Sequence, residues 1–116
     1  MKKSVNLFVT SFVIAKNREY LALLTYKDNK RIFMDSREYS SDQAVQLLGT
    51  ITALRSLHAP VRVLLYLNSH KLQKILDEYL AGYCALGTIQ EQSQSQLLIE
   101  YRTLSKKHEI EVVRSK

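Results

Sequence analysis

With 116 residues, 46% of them hydrophobic, the chain is long enough to bury one core and too apolar to be disordered. Seventeen Lys and Arg against eleven Asp and Glu leave a net charge of +6, which suits a polyanionic partner without requiring one. No apolar run approaches the roughly 18 residues of a membrane span, and a lone cysteine, Cys84, rules out an internal disulfide. A reducing, cytoplasmic setting with no membrane contact is the expectation.

Ser4–Ala15 is rich in Val, Ile and Phe and is predicted as a first strand; Thr10 and Ser11 break its apolar run, so it does not read as a leader peptide. Lys16-Asn17-Arg18 is turn-like. Glu19–Lys27 follows as a second strand, and Asp28-Asn29 is predicted as a tight hairpin turn into a third, Arg31–Tyr39. Ser40 and Gln43 have the spacing of a capping box. Behind them Ala44, Leu47, Leu48, Ile51 and Leu54 recur at helical spacing to about His58, and Pro60 stops the run. Val61–Leu67 is almost continuously apolar, the pattern of a strand covered on both faces.

Asn68 and Ser69 cap a further helix, to about Tyr83. Gly82–Gln96 reads as a loop or a helix restart. Leu97, Leu98, Tyr101 and Leu104 then carry a helix to about Lys107, and Glu109–Val113 closes the chain as a short strand. The order β-β-β-α-β-α-α-β, without repeat or linker, predicts one α/β domain over residues 1–116: a five-stranded mixed sheet with helices packed on it. Leu7, Val9, Leu47, Ile51, Leu54, Val63 and Leu65 are the expected core, with the strand at Val61–Leu67 parallel to the first. Tyr79, Tyr83 and Tyr101 are expected to pack the later helices together, and Cys84 to be a packed thiol. His58 and His108 fall near helix ends, where an imidazolium would complement the dipole, and His70 is expected to face solvent.

This element order resembles the ribonuclease H fold. The segment from Tyr39 to Leu54 is similar to that family's first helix. Val63-Leu64-Leu65-Tyr66-Leu67-Asn68-Ser69 is similar to its buried strand, and His108–Arg114 to its last strand. In that family, carboxylates at the ends of the first and buried strands, on the first helix and on a last helix hold two divalent ions. The resemblance places those positions on Thr10 (with Ser11 beside it), Gln46 and Asn68, and the fourth beyond Lys116. Neutral oxygens supply no charge to offset a hard cation's dehydration. No catalytic residue, metal or other cofactor is therefore assigned, and the chain is expected not to be an enzyme.

Two functions remain. The chain can bind nucleic acid through phosphates, with Lys71 and Lys74 in the helix after Asn68, Lys16 and Arg18 at the first turn, and Arg114 and Lys116 at the end. Alternatively it is a protein-interaction scaffold or subunit, or a homodimer, because the family's final helix has no counterpart and one side of the sheet is left less covered.

Overall fold

The computed structural model describes residues 3–38, 42–70, 72–74, 76 and 92–113. Strands β1 (Ser4–Ile14), β2 (Asn17–Tyr26) and β3 (Asn29–Glu38) form an antiparallel meander, followed by helix α1 (Asp42–Arg55). Strand β4 (Arg62–Leu67), helix α2 (Gln92–Lys107) and strand β5 (Glu109–Val113) complete the described elements, and residues 70, 72–74 and 76 between β4 and α2 are helical. The sheet order is β3-β2-β1-β4-β5, with β4 parallel to both β1 and β5. The expected parallel pairing holds from Ser4 opposite Arg62 to Val9 opposite Leu67.

Strand alternation divides the sheet into two faces. Val5, Leu7 and Val9 of β1, Tyr20, Ala22 and Leu24 of β2, and Val63, Leu65 and Leu67 of β4 are buried against Leu47, Ile51 and Leu54 of α1 and Leu98 and Tyr101 of α2. All seven expected core residues lie in this cluster. Gly49 sets how closely α1 approaches β2: a Cβ there would stand 2.6 Å from the Tyr20 ring. Tyr20 also donates its hydroxyl proton to Thr52 Oγ1 at 3.4 Å, which fixes the rotation of α1 over the strand. Arg55 and Glu100 pair across the exposed seam between α1 and α2, a contact worth at most about 1 kcal/mol.

Several boundaries differ from the sequence expectation for local reasons. The first turn is Ala15-Lys16, with Ala15 at φ 55°, so β2 starts at Asn17 opposite Ile14. The second turn is Lys27-Asp28, with Lys27 at φ 53°, because Asn29 is drawn into the ladder opposite Tyr26. Each left-handed non-glycine residue costs about 1 kcal/mol, offset by the long ladders it permits. Helix α1 ends at Arg55, ahead of Pro60, as Ser56 and Leu57 tighten the last turn by donating to the carbonyls of Ala53 and Leu54. Helix α2 is already formed at Gln92, so the later part of the stretch expected as a loop or a helix restart is a helix.

His108 is also corrected. It is buried just beyond α2, and its Nδ1 accepts the Val61 N–H at 3.2 Å. An accepting nitrogen carries no proton, so His108 ties the entrance of β4 to the end of α2 rather than acting as an imidazolium at a helix dipole. His70 is exposed and Tyr101 is buried, as expected. Ser40, Tyr79, Tyr83 and Cys84 lie outside the described residues, as does the side chain of Gln43. Among the described residues no helix is long and apolar enough to cross a membrane.

Candidate functional site

The parallel pairing of β1 with β4 brings the C-terminal ends of both strands to one end of the sheet, where Asn68 N–H donates to the Val9 carbonyl at 3.1 Å. Gln46, on the second turn of α1, packs beneath this point at 2% exposure. Its Nε2 donates to Ser11 Oγ at 2.8 Å, and its Oε1 accepts the Ser69 N–H at 3.0 Å. The backbone donor at Ser69 fixes which end of the amide is oxygen. One neutral side chain thereby joins β1, α1 and the segment leaving β4.

Thr10 belongs to a second pair. Adjacent residues of a strand point to opposite faces, so Ser11 meets Gln46 while Thr10 Oγ1 accepts a proton from Asn68 Nδ2 at 3.3 Å. The three positions taken from the resemblance therefore form two linked arrangements, Thr10–Asn68 and Ser11–Gln46–Ser69, rather than one triad. Ser69 also caps the helix that follows, accepting the Leu72 N–H at 3.1 Å, and buried Gln73 donates to the Leu67 carbonyl at 2.8 Å. Gln73 is a site residue that the sequence reading did not name, Ser11 was named there only as the neighbour of Thr10, and Ser69 only as the helix cap that it is. Strand alternation was the available signal for Ser11, whose face is that of Val9 and Val13.

As they stand, these groups do not fit a divalent ion. The buried amide of Gln46 is committed at both ends, and Asn68 presents N–H to Thr10. Nor do the described residues hold any group of three or more His, Cys, Asp or Glu arranged around a common point.

The expected basic residues divide clearly. Lys16 lies in the β1–β2 turn and is exposed; Arg18 follows at the start of β2 and is half-buried. Lys74 is exposed, one helical turn past Ser69. The strand register places Lys16 and Arg18 towards the same end of the sheet as Thr10, and Lys74 stands in the helix that Ser69 caps. Lys71, Arg114 and Lys116 lie outside the described residues, Lys71 and Arg114 just beyond described neighbours.

The opposite face of the sheet carries neither α1 nor α2, and an apolar row crosses it. Phe8 stacks on Tyr66 with ring centroids 4.6 Å apart. The row through them runs Ile32, Leu23, Phe8, Tyr66, Val113 across all five strands. Ile32 is 63% exposed, Met34 59% and Phe8 42%.

No family model matches this chain. A segment of 66 residues is 27% identical to a ribonuclease H of Chromobacterium violaceum; it covers 57% of this chain and 45% of that protein, so the match spans less than half of the relative. Among solved structures, the RNase H1 of the halophilic archaeon Halobacterium salinarum superposes with a TM-score of 0.66 at 12% identity, covering 95% of this chain and 85% of that one. LC11-RNase H1, solved in complex with an RNA/DNA hybrid, superposes with a TM-score of 0.67 at 10% identity, covering 94% and 84%. These comparisons correct the expectation that the chain is not an enzyme. The proteins it is similar to are ribonucleases H, and none of the comparisons points to inactivity.

Proposed function

Given that this chain has a ribonuclease H-like fold, we propose that it binds nucleic acid through the phosphate backbone, across the end of the sheet where β1 and β4 finish. The observation that carries this reading is the chemistry of that end. Its described groups are neutral donors and acceptors at Thr10, Ser11, Gln46, Asn68 and Ser69, with cations at Lys16, Arg18 and Lys74. A carboxylate cluster repels phosphate unless metal ions intervene, whereas a neutral cluster with a basic rim admits it directly. A partner of this kind also matches a structural neighbour that was solved with an RNA/DNA hybrid. The cytoplasm is the compartment that goes with this reading.

The test titrates labelled single strand, duplex and RNA–DNA hybrid against the protein at several salt concentrations, reading cleavage of the hybrid in Mg²⁺ alongside binding. Affinity is expected to fall linearly in log–log form with salt. Lys74→Glu, an exposed change near a helix start that suits the dipole, is expected to reduce the slope by about one and to weaken all sequences alike. No binding to any of the three at low salt would end this reading. Hydrolysis, where it is read, has to draw on groups other than the neutral trio. Asp42 precedes Gln46 by four residues in the chain, and Asp42→Asn is the natural control.

A second reading is favoured by the open sheet face, which a second copy of the chain can close. Five strands about 4.8 Å apart and some six residues long give a footprint of roughly 450 Å² per copy, so about 900 Å² in all, at the low end for a specific interface. Lys30 and Glu111 end one row of this face on opposite sides, through Thr25, Asn6 and Leu64. A two-fold axis along β1 sets each Lys30 against its partner's Glu111. Sedimentation equilibrium is expected to show a weak reversible dimer that Phe8→Glu abolishes. A monomer at every concentration would dismiss this second reading and leave the first intact.

A further inference from the structure

The far end of the sheet, where β1 begins, holds a cavity of about 570 Å³ between the strands and the end of α1. Its size is that of a site for a small organic ligand. Lys3, Lys30, Arg31 and His58 line it, Tyr26 and Leu57 give it apolar walls, and no carboxylate is among its lining residues. The Lys3 ammonium stands 5.5 Å from the Tyr26 ring centre, and that of Lys27 stands 5.4 Å from the same centre. A single aromatic ring in the cavity wall thus collects two cations, Lys27 and the wall residue Lys3, which brings the basic residues gathered here to five.

Part of this charge has a structural use. Arg31 donates to the Ser56 carbonyl at 3.2 Å, and Lys107 donates to the Leu57 carbonyl at 3.3 Å, so both serve carbonyls just past the end of α1. The remainder has none of that kind. Among the described residues no ion pair joins Lys3, Lys27, Lys30, Arg31 or His58 to a carboxylate. Gathering like charges costs free energy that scales with their number and proximity, and a bound anion removes that cost. A cavity wall that is cationic on one side and apolar on the other fits a ligand with the same division.

We propose that this cavity is a second site, for a phosphorylated nucleotide whose phosphates meet Lys3, Lys30 and Arg31 and whose less polar part lies against Leu57 and Tyr26. The phosphate chemistry is shared by a free mononucleotide and by the phosphorylated end of a strand. The site does not depend on phosphate binding at Thr10 and Asn68: the two lie at opposite ends of β1, and either can fail alone.

Thermal unfolding and calorimetry with millimolar ADP, adenosine, sulfate, and a short oligonucleotide with or without a terminal phosphate test the proposal. ADP or the phosphorylated oligonucleotide is expected to raise the midpoint through preferential binding to the folded chain, while adenosine and sulfate leave it nearly unchanged. Which of the two anions binds identifies the source. Lys3→Glu leaves the Arg31–Ser56 contact in place and is expected to weaken binding roughly tenfold by exchanging one attraction for a repulsion. Lys74→Glu, in the helix that leaves the other end of β4, is expected to leave ADP binding unchanged. Any of three results overturns the proposal: no shift with either phosphorylated ligand, an equal shift with sulfate, or binding that Lys3→Glu does not weaken.

Discussion

Replacing Gln46 with leucine is expected to lower the free energy of unfolding by about 2–3 kcal/mol, since two hydrogen bonds go and a half-buried backbone donor is left facing an apolar group. Leucine is close in volume, so little of that loss comes from a cavity. Most of it comes from Ser69, whose N–H now has Gln46 Oε1 as acceptor at 3.0 Å, and the rest from Ser11 at 2.8 Å. Urea denaturation measures it. A loss below about 0.5 kcal/mol would mean that water replaces the amide at no cost, and that Gln46 does not hold β1, α1 and the end of β4 together. Gln46→Glu separates shape from charge. The carboxylate keeps an acceptor for Ser69, but at a position only 2% exposed, burial pushes the folded-state pKa above its unfolded value. With that sign, the variant's stability is full in acid, below the unfolded pKa, and is lost as pH rises through the folded one. Gln46→Glu should therefore approach the parent protein at acid pH and fall away from it towards neutrality.

The parts of the fold that periodicity governs were legible in the sequence. Val61–Leu67 could be placed in the interior because a nearly unbroken apolar run suits only a strand covered on both faces, and β4 does lie between β1 and β5. The helix carrying Leu47, Ile51 and Leu54 showed its buried face by spacing alone. Turn positions were less legible: Lys27 and Ala15 adopt left-handed backbone conformations that their side chains do not advertise, and the ladder decides that, not the local residues. The site was legible as a region but not as a geometry. Thr10, Gln46 and Asn68 reach the same end of the sheet, yet the alternation of β1 hands Gln46 to Ser11 and leaves Thr10 with Asn68. The cavity at Lys3 had no sequence signal, because Lys3, Arg31 and His58 lie far apart in the chain and meet only where β1, β3 and the end of α1 converge.

Thr10→Asp with Asn68→Asp is expected to create a divalent-cation site that the parent protein does not have at these two positions. Asn68 Nδ2 and Thr10 Oγ1 are 3.3 Å apart, so two carboxylates there meet at close range with no proton between them. Two unit charges about 4 Å apart repel by about 4 kcal/mol at an effective dielectric constant near 20. Asn68 is exposed and Thr10 half-buried, so solvent screening brings the expected penalty down to about 1–2 kcal/mol at low salt. The like charge raises one carboxyl's folded-state pKa, so the penalty is absent in acid and appears as pH rises through that value. Each single substitution should cost less than half as much as the pair, which makes the effect non-additive and assigns it to the contact. A hard cation that takes oxygens from both residues cancels the repulsion. Mn²⁺ is therefore expected to raise the unfolding midpoint of the double variant by several degrees, and EDTA to reverse it. The parent protein and the two single variants are expected to respond little. A double variant indifferent to Mn²⁺, with penalties that simply add, would show that Thr10 and Asn68 do not face one another across the ends of β1 and β4.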